Sequence, residues 1–152
     1  MHRFYIFVFS LGLLFTTTSG FKNDNAGVTV GEAAPLAQIA HVIDNDIVLP
    51  SDGKALVLNF WSATDGESRA RAKRYAMQAE NENVRVVNVN LSDNVNLYNT
   101  IVATDGLDAA TCVRVDTIGA DALRRLVGLG DSYGAVMVSD AGVVSAVNPE
   151  LI

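Results

Sequence analysis

Cysteine is nearly absent from this sequence of 152 residues, which contains only Cys112. One cysteine cannot form a disulfide within the chain, and it cannot supply the several thiolates of a cysteine-based zinc site. Within a short predicted strand, a lone cysteine is most often buried in apolar packing. The alternative is an exposed thiol that forms mixed disulfides or a covalent dimer. The sequence therefore excludes an internal disulfide framework and leaves Cys112 as a candidate reactive thiol.

Basic residues are also few: eleven Lys and Arg stand against seventeen Asp and Glu, and the formal net charge is -6. Nucleic acids and anionic membrane surfaces both reward clustered Lys and Arg, so we expect neither as a main partner. Histidine is scarcer still. His41 is remote in sequence from Asp65 and Ser68, so no Ser-His-Asp triad is indicated. We expect no cofactor and no metal site.

The first twenty residues differ in composition from the rest. His2 and Arg3 precede an apolar stretch over 4–15, and small or polar residues follow up to Gly20. This order is typical of a secretory signal peptide, and the apolar stretch is short for a membrane span. The alternatives are an uncleaved anchor and a buried first helix. We predict a signal peptide over 1–20, a flexible segment over 21–30 and one folded domain over 31–152. The protein is then periplasmic or secreted, and it is not inserted in the membrane after cleavage.

The remaining chain alternates strand and helix patterns. Apolar runs bounded by turn residues predict strands, and strong helix formers with an apolar face predict helices. The predicted strands cover 54–61, 84–90, 110–115, 135–138 and 143–147, the predicted helices cover 68–80, 94–104 and 120–127, and 41–49 is predicted as a β-hairpin. Gly128 is the expected C-cap of the last helix. This order predicts an α/β sheet with helices on both faces.

The helix over 68–80 carries four basic residues: Arg69, Arg71, Lys73 and Arg74. We predict that they form a solvated face, because charged residues at helical spacing usually point to water. The alternative is a site for an anion or an acidic partner.

Four segments of the sequence carry a family resemblance. They are VGEAAP (30–35), GKALVLNFWSAT (53–64), VRVVNVNLSD (84–93) and VMVSDAGVV (136–144). Together with the order of elements, they resemble the thioredoxin-like superfamily, above all the exported thiol–disulfide oxidoreductases and their peroxiredoxin-like relatives. The resemblance covers 31–149 and implies a thioredoxin-like fold with a central mixed β-sheet. Relatives end with one more helix after the last strand, and here it is expected to be truncated or missing.

The resemblance implies a redox site whose two cysteines would fall on Asp65 and Ser68. In the family, a helix N-terminus lowers the pKa of the first thiol, and the second thiol resolves the mixed disulfide. A carboxylate cannot form a disulfide, and a hydroxyl has far too high a pKa to replace a thiolate. The dithiol reaction is therefore excluded at this turn. The family's cis-proline is also replaced, by Gly134, which follows Tyr133.

The turn is predicted to cap the following helix. Asp65 is one candidate N-cap, and Thr64 with Glu67 forms an alternative capping box one residue earlier. A functional interpretation stands beside the cap: an acidic, hydroxyl-bearing rim that binds a partner. The candidate binding residues are Trp61, Thr64, Asp65, Glu67, Ser68, Tyr133 and Gly134.

These features predict a redox-inactive thioredoxin-fold binding or accessory protein of the cell envelope. Its partner would be an envelope or secreted protein. One alternative is a protein similar to the thiol–disulfide oxidoreductases that acts through Cys112 alone. The other is a vestigial structural domain.

Overall fold

The computed structural model describes residues 27–151. The predicted signal peptide and residues 21–26 lie outside this range. The first described residues contact the domain, since Val28 donates its backbone N–H to the Val127 carbonyl at 3.3 Å and packs against the core. Between residues 27 and 151, no helix is both long and apolar enough to cross a membrane.

Helices and strands alternate through the described residues. The helices are α1 (Leu36–Ile43), α2 (Gly66–Glu82), α3 (Val95–Thr104) and α4 (Thr117–Val127). The strands are β1 (Leu56–Trp61), β2 (Arg85–Asn90), β3 (Cys112–Arg114), β4 (Gly134–Val138) and β5 (Val144–Val147). Gly128 ends α4 in the left-handed conformation (φ 77°), as predicted.

The strands form one mixed sheet in the order β3-β2-β1-β4-β5. β1, β2 and β3 are parallel, whereas β4 is antiparallel to β1 and β5 is antiparallel to β4. The carboxyl ends of parallel strands meet at one edge of a sheet, and β4 starts beside the end of β1, where Gly134 pairs with Phe60. The loops over 62–65, 91–94, 115–116 and 131–133 therefore line one edge, here called the carboxyl edge.

Helices cover both faces of this sheet, which confirms the predicted α/β architecture. On the α1/α4 face, Leu58, Phe60, Val87 and Val89 pack against helices α1 and α4. On the α2/α3 face, alternate residues of the same strands lie beneath α2 and α3. The turn over residues 62–65, here called the site turn, begins where β1 ends, between these two layers.

The predicted hairpin over 41–49 is wrong. Residues up to Ile43 are helical, Asp44 ends the helix with φ 52°, and residues 46–48 form a single 3₁₀ turn. Leu36, Ile39 and Ala40 are buried together with Ile43, at the spacing of one helix face. When the pattern is read from residue 36, the apolar residues follow the 3.6-residue period of a helix. This period is a stronger signal than the short apolar runs that suggested strands.

No helix follows β5 within the described residues. The chain instead turns back over the α2/α3 face after β5. The Tyr75 hydroxyl donates a hydrogen bond to the Pro149 carbonyl at 2.7 Å, and the Leu151 side chain is buried against Val57, Tyr75 and Ala135. This short segment covers part of the sheet next to α2.

Candidate functional site

Asp65 is the last residue of the turn between β1 and α2. Its backbone is extended (φ -109°), and its carboxylate accepts a hydrogen bond from the Ser68 backbone N–H at 2.7 Å. This bond holds the pKa of Asp65 below its ordinary value of 3.8. Asp65 is therefore the N-cap. The Thr64 hydroxyl does not cap the helix but pairs with the Ser62 hydroxyl at 2.7 Å.

Ser68 lies inside the turn and not on its surface. The hydroxyl oxygen accepts a hydrogen bond from the Ser62 backbone N–H at 3.0 Å and is 3.2 Å from the Asp65 carbonyl, to which it can donate. The side chain is buried. The two positions that would carry cysteines in the family thus hold oxygen atoms that hydrogen-bond within the turn. Ser68 is accordingly not part of an exposed rim, which leaves Thr64 and Glu67 exposed and Asp65 partly exposed.

Trp61 is also buried, beneath α3. Its ring lies 6.1 Å from the Tyr98 ring, and its indole N–H has no hydrogen-bond partner among residues 27–151. Trp61 is therefore not exposed for the predicted contact with a partner. The position explains the burial: Trp61 is the last residue of the central strand and faces the helical layer.

Tyr133 and Gly134 lie at the carboxyl edge, where β4 begins. The Arg124 guanidinium carbon lies over the Tyr133 ring, 5.0 Å from the centre of the ring. No cis peptide bond occurs in residues 27–151. A Cβ at Gly134 would lie 3.1 Å from the Asn148 side-chain oxygen, which accepts a hydrogen bond from the Ala135 N–H. Glycine at this position allows Asn148 to approach and hold the start of β4.

A chain of polar side chains runs beneath the turn on the α2/α3 face. The Arg71 Nε donates to Asn59 Oδ1 at 2.9 Å, and Asn59 Nδ2 donates to Asn88 Oδ1 at 2.9 Å. A second guanidinium nitrogen reaches the Phe60 carbonyl at 3.1 Å. Burial lowers the pKa of Arg71 from its ordinary value. The predicted solvated face is therefore wrong for Arg71, which is bonded into the sheet.

Arg69 is bonded as well. It forms a bidentate pair with Asp105, with 2.6 Å from Nε to Oδ2 and 2.8 Å from Nη2 to Oδ1. Lys73 and Arg74 are exposed, as predicted. One sequence signal could have indicated the partner of Arg71: an amide in a buried central strand, such as Asn59, needs a hydrogen-bonding neighbour.

Cys112 is buried on the same face, and it lies beside Asn88 in the β2–β3 register. Burial, with a smaller effect of Asp108, raises the pKa of its thiol to about 11. A thiol with this pKa is protonated at neutral pH and is a poor nucleophile. Within 27–151, no three His, Cys, Asp or Glu side chains gather as metal ligands would.

Solved structures share this fold. A thioredoxin-like protein from Parabacteroides distasonis is 23% identical, with a TM-score of 0.64 over 82% of this chain and 90% of that one. The thioredoxin domain of a thiol-disulfide oxidoreductase from Bacteroides vulgatus is 12% identical, with a TM-score of 0.62 over 82% and 91%. A secreted disulfide oxidoreductase from Mycobacterium tuberculosis is 19% identical, with a TM-score of 0.50 over 64% and 71%.

These likenesses establish the thioredoxin-like fold that the sequence predicted. No protein-family model and no curated protein matches the sequence. The chain has one cysteine, and it lies in β3, away from the turn that follows β1. The turn therefore has the position of a redox loop in this fold but lacks both thiols.

Proposed function

We propose that this protein is a redox-inactive thioredoxin-fold binding or accessory protein of the cell envelope, and that its carboxyl edge binds a protein partner. The observation that carries the proposal is that Asp65 and Ser68 stand where the family has cysteines, and that their side-chain oxygen atoms hydrogen-bond within the turn. A turn without a thiol cannot exchange disulfides. Thr64 and Glu67 are nevertheless exposed at the carboxyl edge, where a partner could contact them.

The proposed location rests on the signal-like pattern over 1–20. The secreted Mycobacterium tuberculosis neighbour supports it by analogy. N-terminal sequencing of the exported protein tests it: we expect a start near Phe21, and a retained Met1 would contradict cleavage.

The charge of the carboxyl edge favours a basic partner surface. Glu67 is exposed in the first turn of α2, and Asp93 and Asp116 are exposed on the next two loops of this edge. The nearby Arg124 is occupied, since it donates to the Gly130 and Ser132 carbonyls at 2.8 Å and stacks on Tyr133. Complementary charges speed encounter and add specificity, and such binding weakens as salt rises.

Two measurements test the proposal. In an insulin-reduction assay with dithiothreitol, we expect only the uncatalysed rate. In a capture experiment with the mature protein and an envelope fraction, we expect Glu67→Lys to weaken capture of the partner. The matched control is Glu80→Lys, which makes the same charge change at an exposed position near the other end of α2. Equal capture by both variants would contradict binding at the carboxyl edge.

The one-thiol alternative is less well supported, because Cys112 is buried and its thiol has a raised pKa. Clear acceleration of insulin reduction that disappears in Cys112→Ser would favour it. If the protein is a vestigial structural domain, we expect no specific capture by the parent or by the Glu67 and Glu80 variants. The same experiment therefore distinguishes that alternative from the proposed binding function.

A further inference from the structure

Helix α3 has fewer buried residues than α1 or α4. α1 buries four of its eight residues, whereas α3 buries only Ile101 of its ten. Leu97, Tyr98 and Val102 are partly buried over Trp61 and Cys112. Because apolar burial supplies most of the free energy that holds a helix on a sheet, we expect α3 to open more readily than α1 or α4.

Two polar groups beneath α3 favour an open state. The Trp61 Nε1 and Asn90 Nδ2 atoms are buried and have no hydrogen-bond partner among residues 27–151. The two residues are neighbours in the β1–β2 register. The Asn90 oxygen is already used, because it accepts from the Ala63 and Ser92 backbone N–H groups at 3.3 and 3.1 Å. Unpaired buried donors raise the free energy of the closed state, and exposure to water would relieve this cost.

An ion pair holds the end of α3 against α2. Asp105 follows α3 directly, its side chain is 8% exposed, and it accepts both hydrogen bonds from Arg69. Arg69 lies in the first turns of α2, next to the site turn. This contact is polar and local, so it can break without unfolding the sheet.

We propose that α3 is a flap over Trp61 and Cys112, and that the Arg69–Asp105 pair is its latch. Opening the flap exposes the Trp61 indole and the Cys112 thiol while the sheet stays folded. The flap is independent of the proposed binding function, since it rests on the packing of α3 and not on the exposed rim. It also gives a buried thiol a route to solvent that does not need global unfolding.

The test is the rate at which iodoacetamide alkylates Cys112 in the full folded chain at constant pH. The thiolate attacks the carbon of the reagent, a sulfur–carbon bond forms and iodide leaves. We expect Arg69→Gln and Asp105→Asn to raise the rate about tenfold, as loss of a charge-assisted pair would. The control Arg74→Gln removes an exposed cation from the same helix and should leave the rate unchanged.

Global unfolding is measured separately for each variant by urea titration of the far-ultraviolet circular dichroism. Opening of a flap exposes little surface, so the alkylation rate should depend weakly on urea. Acrylamide quenching of Trp61, the only tryptophan, should rise in Arg69→Gln. If alkylation in every variant follows the global unfolding equilibrium with its full urea dependence, or if Arg69→Gln and Arg74→Gln react equally, there is no flap.

Discussion

The two faces of the sheet are built from alternate residues of the same strands, yet they have opposite chemistry. On the α1/α4 face, β1 and β2 present Leu58, Phe60, Val87 and Val89, and every one is buried among apolar side chains. This face supplies hydrophobic free energy and little that is specific to the site.

The α2/α3 face is buried to a similar extent but carries amides. Asn59, Asn88 and Asn90 are as inaccessible as the valines beside them, and Arg71 extends from α2 to meet the first of them. A buried amide costs free energy unless it is hydrogen-bonded, so this face depends on partners, whereas the other depends on volume. The difference teaches that burial alone does not show which face positions a site.

Removing volume from the apolar face should have the largest effect. Leu123 of α4 is fully buried in the α1/α4 core. We expect Leu123→Ala to lower the free energy of unfolding by about 2–5 kcal/mol, because it removes apolar contacts and leaves a cavity. Ile118→Ala on the same helix is the control, since Ile118 is 80% exposed. Urea titration measures both, and equal losses would show that α4 does not pack as described.

Breaking the polar chain should have the next largest effect. Arg71→Met removes the donor of Asn59 Oδ1, and we expect a loss of about 1–3 kcal/mol, the cost of a buried group left unpaired. Arg74→Met, at an exposed position of α2, should change stability little.

A double-mutant cycle sharpens this prediction. Once Asn59→Leu has removed the acceptor, Arg71→Met should cost less than it does alone, because it then leaves no further amide unpaired. Simple addition of the two losses would show that the side chains do not depend on each other.

Removing the cap should have a smaller effect. Asp65→Ala removes the acceptor of the Ser68 N–H bond and should lower stability by about 1 kcal/mol. Thr64→Ala is the matched control, because its hydroxyl bonds to Ser62 and not to the helix. Thermal or urea unfolding measures the difference, and a larger loss for Thr64→Ala would restore the alternative capping box.

Acid should produce the smallest and most gradual loss. The Ser68 N–H lowers the pKa of Asp65, and the Arg69 hydrogen bonds lower that of Asp105. For a carboxyl whose folded pKa lies below its unfolded value, the extra stability is present above the unfolded pKa and is lost as the pH falls through the folded one. We therefore expect stability to decline below the ordinary value of 3.8.

Unfolding titrations between pH 7 and pH 2 measure this decline. The double variant Asp65→Ala with Asp105→Asn should show a shallower decline than the parent. An unchanged slope would mean that other carboxyl groups dominate acid unfolding.

Much of the fold follows from local patterns. Short-range preferences account for the strands β1 and β2, for the helix that starts near Asp65 and for the C-cap at Gly128. Each of these was predicted within a few residues. The loss of the redox motif was equally visible, because it depends on residue identity at Asp65 and Ser68. The exception is 41–49, where short apolar runs mimic strands and the helical period is visible only when the pattern is read from Leu36.

The sequence by itself determined the architecture and the chemistry that this turn lacks, since periodicity, capping residues and the absence of a second cysteine are properties of the chain. Only the tertiary structure decided which polar groups are exposed. Ser68 and Trp61 are buried, Arg69 and Arg71 are bonded, and these outcomes depend on contacts with other elements of the fold. Solvation is a property of the packed neighbourhood, and two residues with the same local sequence preference can therefore have opposite roles.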